Sequence, residues 1–355
     1  MGLRSITAVD AIARLDEFDT VVDARSESEF AEDRLPGAVN WPSLTDTERA
    51  AVGTEYKQVS AFDARKRGAA LVARNIATHL ERQVAALPQS WKPLVYCWRG
   101  GQRSGSLATV LGLVGFTVHV LEGGYREFRR AVLAELQELP AQHHFHVLCG
   151  RTGSAKSRLL QALQAAGGQV LDLEALAVHK GSVLGGMPGQ PQPTQKAFDT
   201  AVWQALRKFK PDRPVFAESE SRTIGRLRVP EVLLARLRES SCTELQMSLP
   251  ARVDFLLRDY AHFQADPESF CERLEALREV RGAAVVQAWQ ALVRAGQTAA
   301  VVADLLVTHY DPVYTKSMQR NYVGMATAVD LPLVDSTDAT LSQAARGLIR
   351  RVCVP

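Results

Sequence analysis

The chain has 355 residues, 46% of them hydrophobic, and a formal net charge of +3 at pH 7. This length favours two domains, and the modest charge excludes a bulk polycation, although local basic clusters still suit a folded RNA. No apolar run reaches membrane-spanning length and no signal-peptide stretch stands near the start, so we expect a cytoplasmic protein without a membrane partner. Scattered cysteines without a CxxC motif or Cys/His cluster favour free thiols and predict no cysteine-based metal site. They are Cys97, Cys149, Cys242, Cys271 and Cys353.

The first part of the chain alternates short apolar strands with helical patterns. The predicted strands are 20–23, 38–41, 94–96 and 117–121, and the predicted helices are 27–32, 68–87, 104–113 and 125–136. Such alternation predicts an α/β domain with a parallel sheet covered on both faces. The segment 139–142 interrupts the pattern with a proline, so we predict one domain over 1–137 and a second over 138–355.

The second part repeats the alternation and then becomes mainly helical. We predict strands at 145–149, 169–173 and 214–217 and helices at 157–166 and 194–209, with helical patterns dominating after residue 229. This pattern predicts a second α/β domain with a helical C-terminal part. The segment 181–193 is too rich in glycine and proline for regular structure, and it is either a mobile substrate lid or a solvated loop.

The first candidate site is a cysteine at the end of a predicted strand. After Cys97 come Arg99, two glycines and Arg103, and a helix begins at Ser104. Open α/β sheets bind ligands at this edge, and both the arginines and the helix start favour a thiolate. We therefore predict a catalytic role for Cys97, with Arg99 and Arg103 as its catalytic partners. The competing interpretation is a small buried cysteine, which we prefer for Cys149.

Four stretches around this cysteine resemble rhodanese-type sulfurtransferases. They are Asp23-Ala24-Arg25, Pro36-Gly37-Ala38-Val39-Asn40, the loop Cys97–Ser104 and Leu121-Glu122-Gly123-Gly124-Tyr125. The resemblance implies a rhodanese-like fold and the transfer of sulfur or selenium through a persulfide or perselenide on Cys97, stabilised by loop amides. The loop is one residue longer than is usual for sulfurtransferases and has the length found in cysteine phosphatases. A wider loop can cradle a tetrahedral anion such as phosphate or selenophosphate.

The second candidate site resembles a Walker A phosphate-binding loop. It lies between the predicted strand that ends at Cys149 and a helix with apolar residues at Leu159, Leu160 and Leu163. In that pattern backbone N–H groups and a lysine hold phosphate. Ala155 replaces the usual final glycine, which costs about 1–2 kcal/mol if the backbone is left-handed there. This disfavours ordinary nucleotide turnover more than anion binding. The predicted phosphate-binding residues are Gly150, Arg151, Thr152, Gly153, Ser154, Ala155, Lys156 and Ser157.

Acidic residues follow the next two predicted strands. Asp172 and Glu174 end one strand, and Glu218 and Glu220 end the other, at the position of a Walker B carboxylate. These four residues are therefore candidates for substrate binding. Either pair can hold Mg²⁺ or orient a substrate, and either can instead pair with arginines at the surface.

Basic clusters and one tryptophan are candidates for contacts with RNA. Arg222 belongs to one of several arginine clusters, which either bind a phosphate backbone or are ordinary solvated helix faces. Trp98 either stacks on an unpaired base or packs within its own loop. The clusters lie at 65–67, 126–130, 222–228, 236–238 and 350–351.

The two loops and several further stretches together resemble the family of bacterial tRNA 2-selenouridine synthases, in which a rhodanese domain is fused to a P-loop domain. Periodicity alone indicates only a thiol transferase domain joined to a phosphate-binding domain. The resemblance, in contrast, covers nearly the whole chain. The further stretches are Leu171–Glu174, His179–Ser182, Gln192–Gln195, Glu218–Gly225 and His309–Tyr314.

The resemblance implies a two-step change of a wobble 2-thiouridine in tRNA. Geranyl diphosphate first alkylates the sulfur, and selenophosphate then supplies selenium while geranylthiol leaves, which yields 2-selenouridine. It thus implies tRNA as the partner, the two donors as substrates rather than tightly bound cofactors, and an enzyme that supplies selenophosphate as a further partner. Whether the P-loop holds the prenyl diphosphate, a tRNA phosphate or a nucleotide stays open.

Two other functions remain open from the sequence. A cysteine phosphatase fused to a nucleotide-binding module explains the loop length, but Tyr96 stands where many phosphatases carry histidine. A non-catalytic RNA-binding protein explains the basic clusters, but it leaves a reactive Cys97 among arginines without a purpose.

Overall fold

The computed structural model describes residues 2–182, 185–186 and 189–353, and for Cys353 the backbone alone. The chain divides into two compact units, 1–135 and 136–355. Each contains a five-stranded parallel sheet with helices, so the predicted α/β fold class is confirmed. Within the described ranges no helix is long and apolar enough to cross a membrane.

The first unit is built on five parallel strands in the order β1-β5-β4-β2-β3. These strands are β1 (Gly2–Ile6), β2 (Thr20–Asp23), β3 (Ala38–Asn40), β4 (Pro93–Tyr96) and β5 (Thr117–Leu121). The helices are α1 (Ala8–Ala13), α2 (Glu27–Glu32), α3 (Asp46–Gln58), α4 (Ala61–His79), α5 (Gln102–Val114) and α6 (Gly124–Glu138), with a 3-10 turn at Leu15–Glu17 and a π-helical turn at Leu80–Val84.

The cysteine loop begins at the C-terminal end of the central strand β4. All four of its residues are buried, and its register places Tyr96 beside Asp23 at the ends of β4 and β2. An aromatic core packs behind it, in which the rings of Trp41 and Trp91 lie 5.8 Å apart. Cys97 itself belongs to this core cluster. The loop that follows β4 therefore starts from a rigid position.

Helix α3 is the main element of this unit that the apolar pattern does not predict. None of its residues is buried, so it has no apolar face to detect. Its start is nevertheless marked by a capping box. The Thr45 hydroxyl accepts from the Glu48 N–H, and the Glu48 carboxylate accepts from the Thr45 N–H.

The second unit has a parallel sheet in the order β12-β11-β6-β8-β7 and a separate two-stranded hairpin, β9–β10. The strands are β6 (Phe145–Cys149), β7 (Gln169–Leu171), β8 (Val215–Glu218), β9 (Thr223–Ile224), β10 (Leu227–Arg228), β11 (Ser241–Met247) and β12 (Gly324–Leu333). The helices are α7 (Lys156–Ala165), α8 (Leu173–Ala177), α9 (Gln195–Lys208), α10 (Glu231–Glu239), α11 (Leu249–Asp259), α12 (Ala261–Ala265), α13 (Pro267–Glu275), α14 (Arg278–Arg281), α15 (Ala283–Arg294), α16 (Thr298–Leu305), α17 (Asp311–Asn321) and α18 (Asp338–Cys353), with a 3-10 turn at Leu139–Gln142 and a π-helical turn at Leu306–Tyr310.

Two details of this unit correct the sequence-based expectations. The strand expected over 169–173 ends at Leu171, because the Asp172 carboxylate accepts from the Ala175 N–H at 2.8 Å and starts helix α8. The mainly helical part after residue 229 also contributes two strands, β11 and β12, to the sheet. Of the ten residues of β12 only Leu333 is buried, so its sequence carries no alternating apolar signal.

A separate apolar cluster joins the helices α12, α13, α15 and α16, with Phe263, Phe270 and Trp289 among its buried members. Within the predicted loop 181–193, Gly186 forms an isolated antiparallel bridge with His179. Residues 183–184 and 187–188 of that loop lie outside the described residues, and the choice between a lid and a solvated loop stays open.

Candidate active site

The cysteine of the first unit lies at the C-terminal end of β4, immediately before helix α5. Cys97 is 3% exposed. The Ser104 hydroxyl donates to its Sγ at 3.1 Å, and the Gly101 carbonyl lies 4.0 Å from the same sulfur. A hydroxyl donor and the start of a helix both stabilise negative charge on sulfur. The position therefore suits a nucleophilic side chain.

Two glycines allow this loop to pack closely against the loop after β5. Gly100 and Gly124 both have positive φ, +65° and +61°. A β-carbon on Gly124 would collide with the Cys97 carbonyl oxygen, while the Tyr125 N–H donates to that oxygen at 2.8 Å. Only glycine allows the two backbones to approach this closely. The resembled stretch Gly123-Gly124-Tyr125 thus has a structural role in shaping the cysteine loop.

The two predicted catalytic arginines occupy different environments. The Arg103 guanidinium contacts the carboxylate of Glu29 on α2, with Nη1 and Oε2 2.6 Å apart. Burial alone would raise the pKa of Glu29, but the hydrogen bond and charge of Arg103 outweigh it and hold that pKa below its usual value. Arg99, in contrast, is exposed. Glu29 thus holds the Arg103 side chain in place, whereas Arg99 is exposed to solvent.

A buried charged network lies at the ends of β2 and β4. Asp23 and Arg25 are both fully buried and form an ion pair of 2.6 Å. The Tyr96 hydroxyl donates to Asp23 at 2.7 Å, and the Tyr125 hydroxyl donates to Asp33 at 2.8 Å. The Arg25 guanidinium also lies 4.1 Å above the Tyr125 ring. The stretch Asp23-Ala24-Arg25, one of those that resemble sulfurtransferases, therefore links the strand ends next to the cysteine loop.

The second candidate site is the loop between β6 and α7. Ala155 has φ +60° and ψ +30°, so it adopts the left-handed conformation in which alanine costs about 1–2 kcal/mol. The Lys156 ammonium donates to the Gly150 carbonyl at 2.8 Å, and the Gly150 N–H donates to the Tyr314 hydroxyl. The Ser154 side chain is buried, and its hydroxyl has no partner among the described residues. The loop thus has the left-handed bend and the inward-facing lysine expected of a phosphate cradle.

A buried arginine that the sequence analysis does not single out supports this loop from helix α11. The Arg252 guanidinium donates to the Thr152 carbonyl at 2.8 Å and to both carboxylate oxygens of Asp311, at 2.9 and 2.6 Å. Arg151 also approaches Asp311, with a nitrogen–oxygen distance of 3.7 Å. Asp311 belongs to the resembled stretch His309–Tyr314, which offers the one sequence signal for this pair.

Three of the four predicted acidic residues converge below the phosphate loop. Oxygens of Glu174, Glu218 and Glu220 all lie within 4.8 Å of one another. The Ser157 hydroxyl donates to Glu174 at 3.0 Å and lies 3.2 Å from Glu218. Asp172 is instead the cap of α8. The alternative in which these pairs meet surface arginines is wrong for Glu218 and Glu220, because both are buried.

The electrostatics of this carboxylate cluster favour a positive ligand. Burial, and then the neighbouring carboxylates, raise the pKa values of Glu218 and Glu220 well above the usual range, and burial raises that of Glu174. One Glu218 oxygen is buried without a hydrogen-bond partner among the described residues. Buried carboxylate oxygens beside a loop hydroxyl are the ligand set that suits Mg²⁺.

The remaining candidates lie nearer the surface. The Arg222 side chain is 72% exposed and lies 3.7 Å from Glu231. Trp98 is half-buried, and the centre of its ring lies 5.4 Å from the centre of the Tyr125 ring. The structure therefore shows this side chain packed against a neighbouring aromatic residue. In the cluster 126–130, Arg126 and Arg130 both pair with Glu127.

Comparison with known proteins agrees with both units. A family profile described as a rhodanese-like domain matches residues 7–131, and one described as a tRNA 2-selenouridine synthase AAA domain matches residues 143–276. The tRNA 2-selenouridine synthase of Nitrosomonas europaea is 35% identical over 257 residues, covering 71% of this chain and 66% of that protein. That of Bdellovibrio bacteriovorus is 36% identical over 256 residues, covering 68% and 64%.

The fold, the two loops and these matches define the class as a rhodanese-like domain joined to a P-loop domain. Within that class, the chain belongs to the tRNA 2-selenouridine synthase family. The matched part spans slightly less than two thirds of the length of the two relatives named above.

Proposed function

We propose that this protein converts 2-thiouridine at the wobble position of tRNA into 2-selenouridine, with geranyl diphosphate and selenophosphate as donors. The observation that carries the proposal is the presence in one chain of two different loops, each of which follows a buried strand and precedes a helix. One presents a thiol, Cys97, at the start of a helix, and the other presents Lys156 beside a carboxylate cluster. A synthase that replaces sulfur by selenium needs both a chalcogen site and a site for a phosphorylated donor.

The P-loop domain is assigned to the alkylation step. The thiocarbonyl sulfur of the uridine attacks the allylic carbon next to the diphosphate, and a carbon–sulfur bond forms. Diphosphate leaves with the electrons of the broken carbon–oxygen bond, and the N3 proton of the base passes to solvent. Lys156 and the backbone N–H groups of 151–157 bind the leaving diphosphate, since such groups stabilise developing negative charge on phosphate oxygens.

Mg²⁺ fits the same site. The cluster of Glu174, Glu218 and Glu220 lies within reach of the Ser157 hydroxyl, and burial together with the neighbouring carboxylates raises the pKa values of Glu218 and Glu220. A cation offsets that crowding of negative charge. These residues would hold the ion, which would add charge stabilisation for diphosphate.

The rhodanese-like domain is assigned to the selenium step. Alkylation turns a poor leaving group into geranylthiol, which departs when selenium takes its place. The Cys97 thiolate attacks C2 of the geranylated uridine, the bond from C2 to the geranylated sulfur breaks, and geranylthiol leaves with that electron pair and a proton from solvent. The selenium of selenophosphate then forms a bond to C2 as the bond to Cys97 breaks, and water cleaves the selenium–phosphorus bond to release phosphate. The loop amides and Arg103 bind the anionic donor. The Ser104 hydroxyl, 3.1 Å from the sulfur, stabilises the thiolate.

Nucleoside mass spectrometry tests the proposal directly. Purified protein, thiolated tRNA, geranyl diphosphate, selenophosphate and Mg²⁺ should give S-geranyl-2-thiouridine and then 2-selenouridine. Omission of the prenyl donor should leave 2-thiouridine, and omission of selenophosphate should stop the reaction at the geranylated nucleoside. Unchanged 2-thiouridine with all components present would reject the proposed function.

The length of the Cys97 loop also favours a second candidate, a cysteine phosphatase fused to a nucleotide-binding module. This candidate predicts release of phosphate from a phenyl phosphate ester and loss of that activity in Cys97→Ser. Phosphate release without any change in thiolated tRNA would favour the phosphatase.

A further inference from the structure

An apolar pocket opens beside the phosphate loop, within the helical part of the second unit. It encloses about 540 Å³ of space free of protein atoms, counting the part open to solvent. Its walls come from α11, α12, α13 and α16, and the exposed lining is almost entirely carbon. The side chains that dominate the walls are Leu256, Tyr260, Phe263, Phe270, Val302 and Leu305.

One wall of the pocket is the phosphate loop itself. Thr152 lines the pocket, and the carbonyl of the same residue is fixed by Arg252 at 2.8 Å. Helix α11 packs directly on the next loop residue, since a β-carbon on Gly153 would lie 3.0 Å from Leu256 Cδ1. Leu256 therefore contacts the loop and lines the pocket at once. A ligand with its anionic end in the loop can place its other end in the pocket.

The chemistry of the walls selects a hydrocarbon. A nucleotide base or ribose in this pocket would leave most of its polar groups without partners, because polar side chains such as Gln264 and Thr298 supply only a small part of the exposed lining. Each buried donor or acceptor left without a partner costs free energy. A branched, unsaturated aliphatic chain has no such groups and packs well on aromatic rings. The rings of Tyr260 and Phe263 lie parallel, 5.7 Å apart, and those of Phe263 and Phe270 lie 4.9 Å apart.

We propose that this pocket binds the isoprenoid chain of an allylic diphosphate whose diphosphate lies in the loop 150–157. The inference rests on the proposed function for the identity of the donor, and it adds the site and the basis of chain-length selection. The helices α11, α12, α13 and α16 then serve as a prenyl-binding module attached to a phosphate loop. Affinity should rise with chain length until the pocket is full, because each buried methylene contributes about fourfold in binding.

The test compares three ligands on one protein: inorganic pyrophosphate, a five-carbon allylic diphosphate and geranyl diphosphate. For the unaltered protein we expect geranyl diphosphate to bind at least about tenfold more tightly than the five-carbon compound. Equal affinity for the three ligands would overturn the inference, because the chain would then contribute nothing.

Two substitutions at one wall position make the test specific. Val302→Trp fills the pocket and should weaken geranyl diphosphate binding about tenfold or more, while pyrophosphate binding stays unchanged. Val302→Ala enlarges the pocket and should shift the preference toward a fifteen-carbon allylic diphosphate. The matched control is Val307→Trp at an exposed position outside the pocket, which should bind all ligands as the unaltered protein does.

Pyrophosphate binding shows whether each variant is folded. If Val302→Trp is misfolded and binds no pyrophosphate, the chain-length preference of Val302→Ala tests the pocket instead. Both variants binding geranyl diphosphate normally would overturn the pocket assignment, whether or not the protein makes selenouridine. Failure of the proposed function is a separate result, namely no modified nucleoside from the unaltered protein.

Discussion

The ammonium nitrogen of Lys156 lies 2.8 Å from the carbonyl oxygen of Gly150, so the lysine closes on the first residue of its own loop. The Lys156 nitrogen also lies 5.6 Å from the centre of the Tyr314 ring, whose hydroxyl accepts from the Gly150 N–H. A phosphate that enters the loop must attract Lys156 away from this neutral carbonyl. A doubly charged diphosphate does so readily, because charge-assisted hydrogen bonds are roughly twice as strong as neutral ones.

Lys156→Ala should therefore reduce alkylation of thiolated tRNA by about 100-fold, the usual effect of removing one donor that stabilises developing charge. The same variant should still convert tRNA that already carries S-geranyl-2-thiouridine when selenophosphate is supplied, because the Cys97 loop is intact. Nucleoside mass spectrometry of both reactions gives the answer.

The matched control is Lys208→Ala, which removes a lysine from an exposed position near the end of α9. Failure of Lys156→Ala on both substrates, together with a loss of tRNA affinity, would place a tRNA phosphate in the loop. Normal alkylation by this variant would mean that residues 150–157 form only a structural turn, and the division of labour between the two loops would be refuted.

The two loops could be predicted from the sequence because each is a contiguous motif next to a buried strand. The supporting contacts could not, since they join residues far apart along the chain. Arg252 and Asp311 are 59 positions apart, and nothing near Arg252 marks it as different from other helical arginines. Tyr314 bonds to Gly150 across 164 positions. Only the folded chain shows that α11 and α17 both support the phosphate loop.

The carboxylate cluster shows the same limit. The sequence indicates acidic residues after two strands, but the capping role of Asp172 and the burial of Glu218 follow from neighbours that the pattern does not reveal. The apolar pocket could not be predicted from the sequence at all. Its walls come from several short helices, and the leucines and phenylalanines of those helices look like ordinary core residues.

The Arg252–Asp311 pair should contribute strongly to the stability of the second unit. Its side chains are 3% and 17% exposed. Arg252→Gln should lower the free energy of unfolding by about 3–5 kcal/mol, because it leaves a largely buried carboxylate without its partner. Chemical denaturation that follows the second unit measures this decrease. The control Glu268→Gln breaks an exposed pair with Arg294 and should have a small effect, so equal decreases in the two variants would contradict the supporting role.

His146 gives the second unit a defined pH dependence. Its ring nitrogens lie 2.9 and 2.8 Å from the hydroxyls of Ser241 and Thr243, and burial lowers its pKa to about 4. Between about pH 4 and 6.5 the unfolded chain binds a proton at this position and the folded chain does not. The contribution of the neutral His146 ring to the free energy of unfolding is therefore fully present above pH 6.5. As the pH falls towards about 4, up to about 3 kcal/mol of this contribution is lost.

Denaturation of the unaltered protein and of His146→Gln at pH 7.5 and pH 4.5 measures this contribution. The variant should lose less stability on acidification than the unaltered protein. An identical decrease in both proteins would show that His146 does not cause the acid sensitivity.

If the cluster 126–130 binds the tRNA backbone, affinity should fall steeply with salt, because bound phosphates release counterions. Replacement of Arg129 and Arg130 by alanine should reduce the slope of log affinity against log salt by about 1 for each phosphate that the variant no longer neutralises. Binding titrations from low to moderate salt measure the slope. An unchanged slope would identify this cluster as a solvated helix face.

The most direct test of the account is the nucleoside content of thiolated tRNA after reaction with Cys97→Ser in the presence of both donors. Cys271→Ala is the matched control, because Cys271 is a buried free cysteine of the helical cluster and belongs to neither loop. The account predicts that Cys97→Ser accumulates S-geranyl-2-thiouridine without 2-selenouridine, while the control forms 2-selenouridine normally. Normal 2-selenouridine from Cys97→Ser would contradict the role assigned to the thiol.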